Sequence, residues 1–171
     1  MFYSNLHFAI VNRSYWNINL KPKQVKCLEA IYSGRDVIAV LPTGYGISII
    51  FYLLPGLFFH KLNSRSTQTE SPFHPVVVVV SPLNSLISDQ IRRSTEGKLK
   101  AAILNVRNTK NSNELELEET CDTNSCWLKD AKYDIIFTHA EAVLSCKKGI
   151  ELFQSAPYQR CVQGIIIDEA H

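Results

Sequence analysis

Short apolar runs rich in β-branched residues constrain this chain more than any other feature: Val37–Leu41, Val76–Val80, Ala101–Leu104, Ile135–Phe137 and Ile165–Ile167. A strand with one wet face alternates polar and apolar side chains, whereas a continuous apolar run is buried on both faces. That is the pattern of a parallel sheet covered by helices. Stretches of helical length lie between the runs: Lys21–Ser33, Gly46–Leu54, Leu83–Ser94, Glu114–Lys129 and His139–Lys147. Pro22 near the first turn and Gly34 just past the last set the start and stop of the first of these. Strand–helix alternation with right-handed crossovers predicts a doubly wound α/β sheet. Two polar stretches, Asn63–Pro75 and Arg107–Asn113, read as loops. The acids of Glu114–Glu119 read as a solvated helix face.

At 171 residues the chain is one domain in length, and with 46% apolar and 20% charged residues it can bury a real core. Collagen-like, coiled-coil and wholly disordered classes are excluded. Lysine and arginine total 18 against 16 acids, a net charge of +2 that by itself does not mark a nucleic-acid protein. The opening Met1–Asn5 has no positive region, and Arg13 follows the apolar patch instead of preceding it, so no secretory signal is expected. The longest apolar run, Ile47–Phe59, is broken by Pro55 and Gly56 and falls short of the about 18 residues of a spanning helix. No membrane association is expected. Cys27, Cys121, Cys126, Cys146 and Cys161 show no metal-ligand spacing and read as free thiols in a reducing, intracellular compartment.

The strongest local signal follows the first run: Leu41-Pro42-Thr43-Gly44-Tyr45-Gly46-Ile47-Ser48. A strand, a glycine-containing turn and a helix opening on a hydroxyl make a phosphate cradle. Loop and helix N–H groups converge on phosphate oxygens, and glycine permits the close approach. The Ser48 hydroxyl stands where a magnesium ligand belongs. Position 47 of such a loop should be lysine, and this chain has isoleucine. On its own the loop reads equally as an ordinary turn with Ile47, Ile49 and Ile50 as core residues. The chain closes on Ile165-Ile166-Ile167-Asp168-Glu169-Ala170-His171, an apolar strand that ejects two adjacent carboxylates at its C-terminal end. Asp168 is suited to hold Mg²⁺, and Glu169 to orient and deprotonate an attacking water.

These two segments together resemble superfamily 2 helicases, and most closely the RecQ DNA helicases. The resemblance runs from about Leu20 to His171 and is carried by motif order and spacing. It implies a RecA-like nucleotide-hydrolase domain at 20–171, preceded by an N-terminal extension at 1–19. It also implies ATP and Mg²⁺ as cofactors, with Thr43, Gly44, Tyr45, Gly46 and Ser48 around the phosphates. Lys21-Pro22-Lys23-Gln24 is similar to the segment preceding the loop, in which a glutamine pairs with the adenine edge, a role that falls to Gln24. Val80-Ser81-Pro82-Leu83-Asn84-Ser85-Leu86-Ile87-Ser88-Asp89-Gln90 is similar to the segment that contacts single-stranded DNA. From it the resemblance takes Ser81, Pro82, Asn84 and Gln90 as nucleic-acid residues. Phe137-Thr138-His139-Ala140-Glu141 resembles the family's Thr-Pro-Glu segment, with Thr138 toward nucleic acid and Ala140 at the usual proline. Read without the family, Gln24 is a helix-surface residue and Thr138 a helix cap.

The activity the resemblance implies is ATP-dependent 3′–5′ unwinding of single-stranded or partly duplex DNA in recombination and repair, in the nucleus if the source is eukaryotic. Two departures bear on it. A preorganised charge of the kind missing at Ile47 is worth about 10²–10³ in rate, so ATP binding should weaken and hydrolysis fail. The sequence also stops at the Asp-Glu-Ala-His run, without the second RecA-like domain that forms the other half of the cleft. The alternative is therefore a catalytically dead pseudo-helicase that acts at most as a nucleotide- or DNA-binding module.

Overall fold

The apolar runs sort into two units, Met1–Phe73 and His74–His171. The structure is a computed structural model that describes residues 1–12, 18–64, 72–82, 84–108, 115–120 and 126–168. The core of the polar stretch at 65–71, the tip at 109–114, Cys121 and the terminal Glu169, Ala170 and His171 lie outside the described residues.

The first unit holds α1 (Phe2–Val11), α2 (Pro22–Tyr32) and α3 (Ser48–Asn63). The helix α1 was not anticipated from the sequence. It crosses α3 where Gly56 admits it: a Cβ there would meet the Ala9 Cβ at 3.3 Å. Its buried Asn5 donates from Nδ2 to the Tyr32 hydroxyl of α2 at 3.0 Å. The expected limits of α2 hold, with Pro22 in its first turn and Gly34 past its end at φ +78°. Bonds from Arg35 N to Ala30 O and from Gly34 N to Ile31 O close a Schellman cap there. The third helix runs well past the expected Leu54, through Pro55 to Asn63, with Ile50–Pro55, Leu57 and Phe58 buried. A helix apolar on every side is a buried helix. That burial offsets the backbone bond Pro55 cannot make.

One expected strand is absent. Val37–Leu41 forms no ladder with any described residue, and Ile38 and Val40 are 96% and 86% exposed. A β-branched run becomes a strand only where a neighbour takes up its N–H and C=O groups. Composition sets the propensity, not the partner.

The second unit holds the sheet: β1 (Val76–Val80), β2 (Ala101–Asn108), β3 (Leu115–Thr120), β4 (Ile135–Thr138) and β5 (Val162–Ile167), in the order β3-β2-β4-β1-β5. Four strands are parallel, with Val78 opposite both Ile136 and Ile165, and β3 runs antiparallel to β2 at the edge. Helices α4 (Asn84–Glu96), α5 (Cys126–Lys129), α6 (Ala140–Leu144), α7 (Lys147–Gln154) and α8 (Ala156–Cys161) connect them. Val76, Ala102, Leu104, Tyr133, Ile136 and Tyr158 form a core cluster, and the Tyr158 hydroxyl donates to the Leu128 carbonyl at 2.7 Å.

Two expectations are corrected here. The stretch Glu114–Lys129, expected as one helix, holds β3 and the short α5 instead. Leu115-Glu116-Leu117-Glu118 alternates with period two, and the register sets Glu116 opposite Arg107. Burial on both faces holds for β1 and β4, but β5 is an edge strand whose Ile165 and Ile167 are 67% and 68% exposed.

Candidate functional site

Each unit carries part of the chemistry read from the sequence. In the first, Tyr45 N bonds to Pro42 O at 3.0 Å, closing a turn over Thr43 and Gly44. Gly44 and Gly46 take φ values of +75° and +89°, which L side chains rarely adopt. The turn feeds directly into α3, where Ile50 N bonds to Ile47 O at 2.9 Å. Thr43, Gly44 and Gly46 are exposed, and Ser48 is half-buried in the first turn of α3. This is the glycine turn and helix start that a phosphate group fits, with its donors on the backbone. Ile47 is half-buried at the N-cap of α3 and brings no charge.

Gln24 is only 4% exposed and is fully engaged with this loop. Its Nε2 donates to the carbonyls of Tyr45 at 3.0 Å and Gly46 at 2.9 Å. Its Oε1 accepts from the Lys21 amide at 2.7 Å, half of a capping box on α2. One carboxamide thus ties the start of α2 to the loop. A Cβ at position 46 would meet its Nε2 at 3.0 Å. The Lys21 ammonium adds a bond of 3.1 Å to the Tyr45 carbonyl and stands 4.5 Å from the centre of the Tyr45 ring. The sequence motif alone assigns Lys21 no role of its own. The one signal for it was its place three residues before Gln24.

In the second unit, backbone bonds line up the ends of three parallel strands. Ser81 N donates to Thr138 O, and Asp168 N to Val80 O, both at 2.9 Å. Thr138, Ser81 and Asp168 therefore sit in a row at the C-terminal edge of β4, β1 and β5, the edge at which open α/β sheets bind ligands. The side chains are placed differently. Thr138 is fully buried and donates to the Leu104 carbonyl at 3.0 Å. Ser81 is 3% exposed, and its hydroxyl has no partner among the described residues. Pro82 is exposed, Gln90 half-buried, and Asn84 opens α4. Asp168 is half-buried at the strand end. The cap of α6 is His139, not Thr138. His139 brings its Nδ1 to 2.7 Å from the Ser81 carbonyl, a contact the sequence did not announce. A carbonyl only accepts, so Nδ1 carries the hydrogen.

None of Cys27, Cys146 and Cys161 is in a disulfide, and burial pushes the Cys161 thiol up, against a smaller opposing pull from Arg160. No helix among the described residues is long and apolar enough to cross a membrane. No group of three metal-ligating side chains occurs among them.

A mostly parallel sheet, a glycine turn entering a helix and a carboxylate at a strand end define a RecA-like α/β domain. Residues 21–171 match the family model of the DEAD/DEAH box helicases. The probable ATP-dependent DNA helicase RecS of Bacillus subtilis is 30% identical over 154 residues, covering 90% of this chain and 25% of that protein. The ATP-dependent helicase SGS1 of Saccharomyces cerevisiae is 28% identical, covering 88% of this chain and 9% of the relative. The RecQ-like DNA helicase BLM of Xenopus laevis is 25% identical, covering 95% and 10%. No solved structure matches. The chain belongs to the DEAD/DEAH box helicase family, and its relatives there are RecQ-type helicases. It spans a quarter or less of the length of each relative named.

Proposed function

We propose that residues 20–171 are the first RecA-like domain of a RecQ-like, ATP-dependent 3′–5′ DNA helicase acting in recombination and repair, with 1–19 as an extension. The observation that carries this reading is the left-handed pair Gly44 and Gly46 in a turn entering α3, inside a stretch that matches the helicase family throughout. In this reading Thr43, Gly44, Tyr45, Gly46 and Ser48 hold the phosphates of ATP, Ser48 and Asp168 hold Mg²⁺, and Glu169 orients the water. The metal, when bound, withdraws charge from the phosphate oxygens. Gln24 holds the loop, and reaches the adenine edge only if it gives up its bonds to Tyr45 and Gly46. DNA lies along the strand-end row, with Pro82, Asn84 and Gln90 toward the backbone. Ser81 and Thr138 serve that row from beneath as they stand, through their main chain. The partners are single-stranded or partly duplex DNA and a second RecA-like domain.

Ile47 favours a second reading, in which the same domain binds nucleotide or DNA and turns over little. An aliphatic side chain leaves the β- and γ-phosphates without the cation that meets their charge as the terminal bond loosens. Asp168 and Glu169 cannot substitute, being negative themselves. DNA-stimulated ATPase measured for the chain and for Ile47→Lys separates the two readings. Substantial turnover in the unaltered chain discards the second. Nucleotide binding without turnover, tightened by Ile47→Lys, supports it. Failure of both versions to bind a fluorescent ATP analogue discards the nucleotide site altogether.

A further inference from the structure

The main chain sets the strand-end row, but it leaves open where the chain goes after β1. The β1–β4 ladder ends at the pair Val80 and Thr138. One step further, Ser81 N still donates to Thr138 O at 2.9 Å. In a parallel ladder the Ser81 carbonyl would next accept from the amide of residue 140, but Ala140 already belongs to α6. The His139 imidazole takes that rung instead, with Nδ1 2.7 Å from Ser81 O. Two consecutive residues at the exit of β4 thus grip Ser81 by its amide and by its carbonyl.

The residue after Ser81 offers no substitute for that grip. Pro82 has no N–H to donate, and its ring confines Ser81 to an extended backbone. The helix α4 begins at Asn84, three residues past Ser81, so the hold on Ser81 sets the start of α4 against the start of α6. His139 is half-buried and makes no capping bond to α6. Its ring serves the neighbouring strand, not its own helix. The bond needs no charge on the ring, because a neutral imidazole with its proton on Nδ1 donates there.

We propose that His139 is a positioning residue for nucleic acid. It fixes the spacing between the segment that opens α4 and the segment that opens α6, where DNA lies along the strand-end row. The partner is single-stranded DNA, held through its phosphates without regard to base. His139 itself meets no phosphate and acts through the main chain of Ser81. Phosphates along a strand are regularly spaced, so two segments already held at one separation bind without the ordering cost that two loose ones incur. The inference rests on the row being the DNA path, and adds a residue that this path does not otherwise use.

The test is fluorescence anisotropy of a labelled oligothymidylate with the unaltered chain, His139→Ala, His139→Asn and His139→Gln, each checked for folding by circular dichroism. The amide nitrogen of Asn takes the place of Nδ1 along the side chain, whereas that of Gln reaches a bond further. His139→Ala and His139→Gln should weaken binding by about 3- to 10-fold, the net worth of one neutral hydrogen bond, and His139→Asn should stay within about twofold of the unaltered chain. The salt dependence, taken at about pH 6 where an imidazole on a phosphate would carry charge, should keep its slope in every variant. Equal losses for His139→Asn and His139→Ala would overturn the proposal, as would a His139→Ala that binds like the unaltered chain. A slope shallower by about one ion in His139→Ala would overturn it in favour of direct phosphate contact. One readout needs no DNA: with the ring neutral, the imidazole nitrogen resonances should place the proton on Nδ1, and a proton on Nε2 would overturn the proposal. If His139→Ala does not fold, the Asn and Gln variants and the tautomer decide. If the unaltered chain is folded, carries its proton on Nδ1 and binds no oligothymidylate, the DNA path falls first and this proposal with it.

Discussion

The two units fix their chemistry by opposite means. At the strand-end row, Thr138, Ser81 and Asp168 are set by main-chain bonds that would survive a change of side chain. In the loop at 42–48 no ladder exists, and the Tyr45 and Gly46 carbonyls are held by the Gln24 carboxamide and the Lys21 ammonium. A site built from backbone tolerates substitution. A site braced by two side chains loosens when either is lost. The difference predicts which single changes are felt as lost structure and which as lost binding.

The largest effect belongs to the hydrophobic core of the sheet unit. Tyr158 is fully buried, sits edge-on to Phe153 with ring centres 5.2 Å apart, and donates to Leu128. Tyr158→Ala should cost about 3–5 kcal/mol, the range for emptying an aromatic site, read from the urea midpoint. A loss below about 1 kcal/mol would mean the sheet unit does not depend on this core.

Gln24→Ala comes next, and here the loop should show its dependence on one residue. Both carbonyls and the Lys21 amide lose a bond together, leaving Tyr45 O to the Lys21 ammonium and Gly46 O to Ile49 N, so affinity for the fluorescent ATP analogue should drop by about tenfold. Gln24→Glu should be worse, since a carboxylate cannot donate to either carbonyl. Unchanged affinity in both would show that the loop keeps its shape without Gln24, and the contrast between the units would lapse.

At the row itself, two hydroxyls should part company. Thr138→Val strands the Leu104 carbonyl and should cost about 1–3 kcal/mol. Ser81→Ala removes a buried hydroxyl that has no partner among the described residues, and should be neutral or slightly stabilising. Chemical denaturation of the pair decides it. A large cost for Ser81→Ala would mean its hydroxyl is engaged after all.

The legible part of the fold was the part whose signals are local. Runs at 76–80 and 135–137 declared buried parallel strands, and the Pro22–Gly34 bracket declared α2 within a residue or two. The run at 37–41 carried the same composition and formed no strand, because pairing is a property of a distant neighbour. The stretch at 115–120 misleads for the opposite reason: it alternates with period two, but its run of acids has the composition of a solvated helix face. For the site, glycines and the hydroxyl at 48 could be named from spacing alone. That Gln24 grips the loop could not, since it depends on two carbonyl directions that no side-chain pattern encodes. Nor could the burial of Ser81 and Thr138, which stand at the ends of the two interior strands β1 and β4.

The smallest expected effect places acid sensitivity in the loop unit. His60, near the end of α3, has its ring centre 5.2 Å from that of Phe8. Its Nε2 is 3.2 Å from Asn12 Nδ2, which can only donate, so the ring accepts there in its neutral form. Burial holds its pKa below the ordinary value of 6.5. In the unfolded chain the ring returns to about 6.5, so below that pH the unfolded state binds more protons than the folded one. Stability from the neutral ring is therefore full above about pH 6.5 and declines as the pH falls through it, levelling once the folded ring also protonates. The ring is only half-buried, so the decline should be modest. Melting temperatures between about pH 5 and pH 8, compared with His60→Gln, isolate it. The unaltered chain should lose more on acidification than the variant does. Parallel curves would mean that His60 feels no desolvation, and that acid acts on the sheet unit instead.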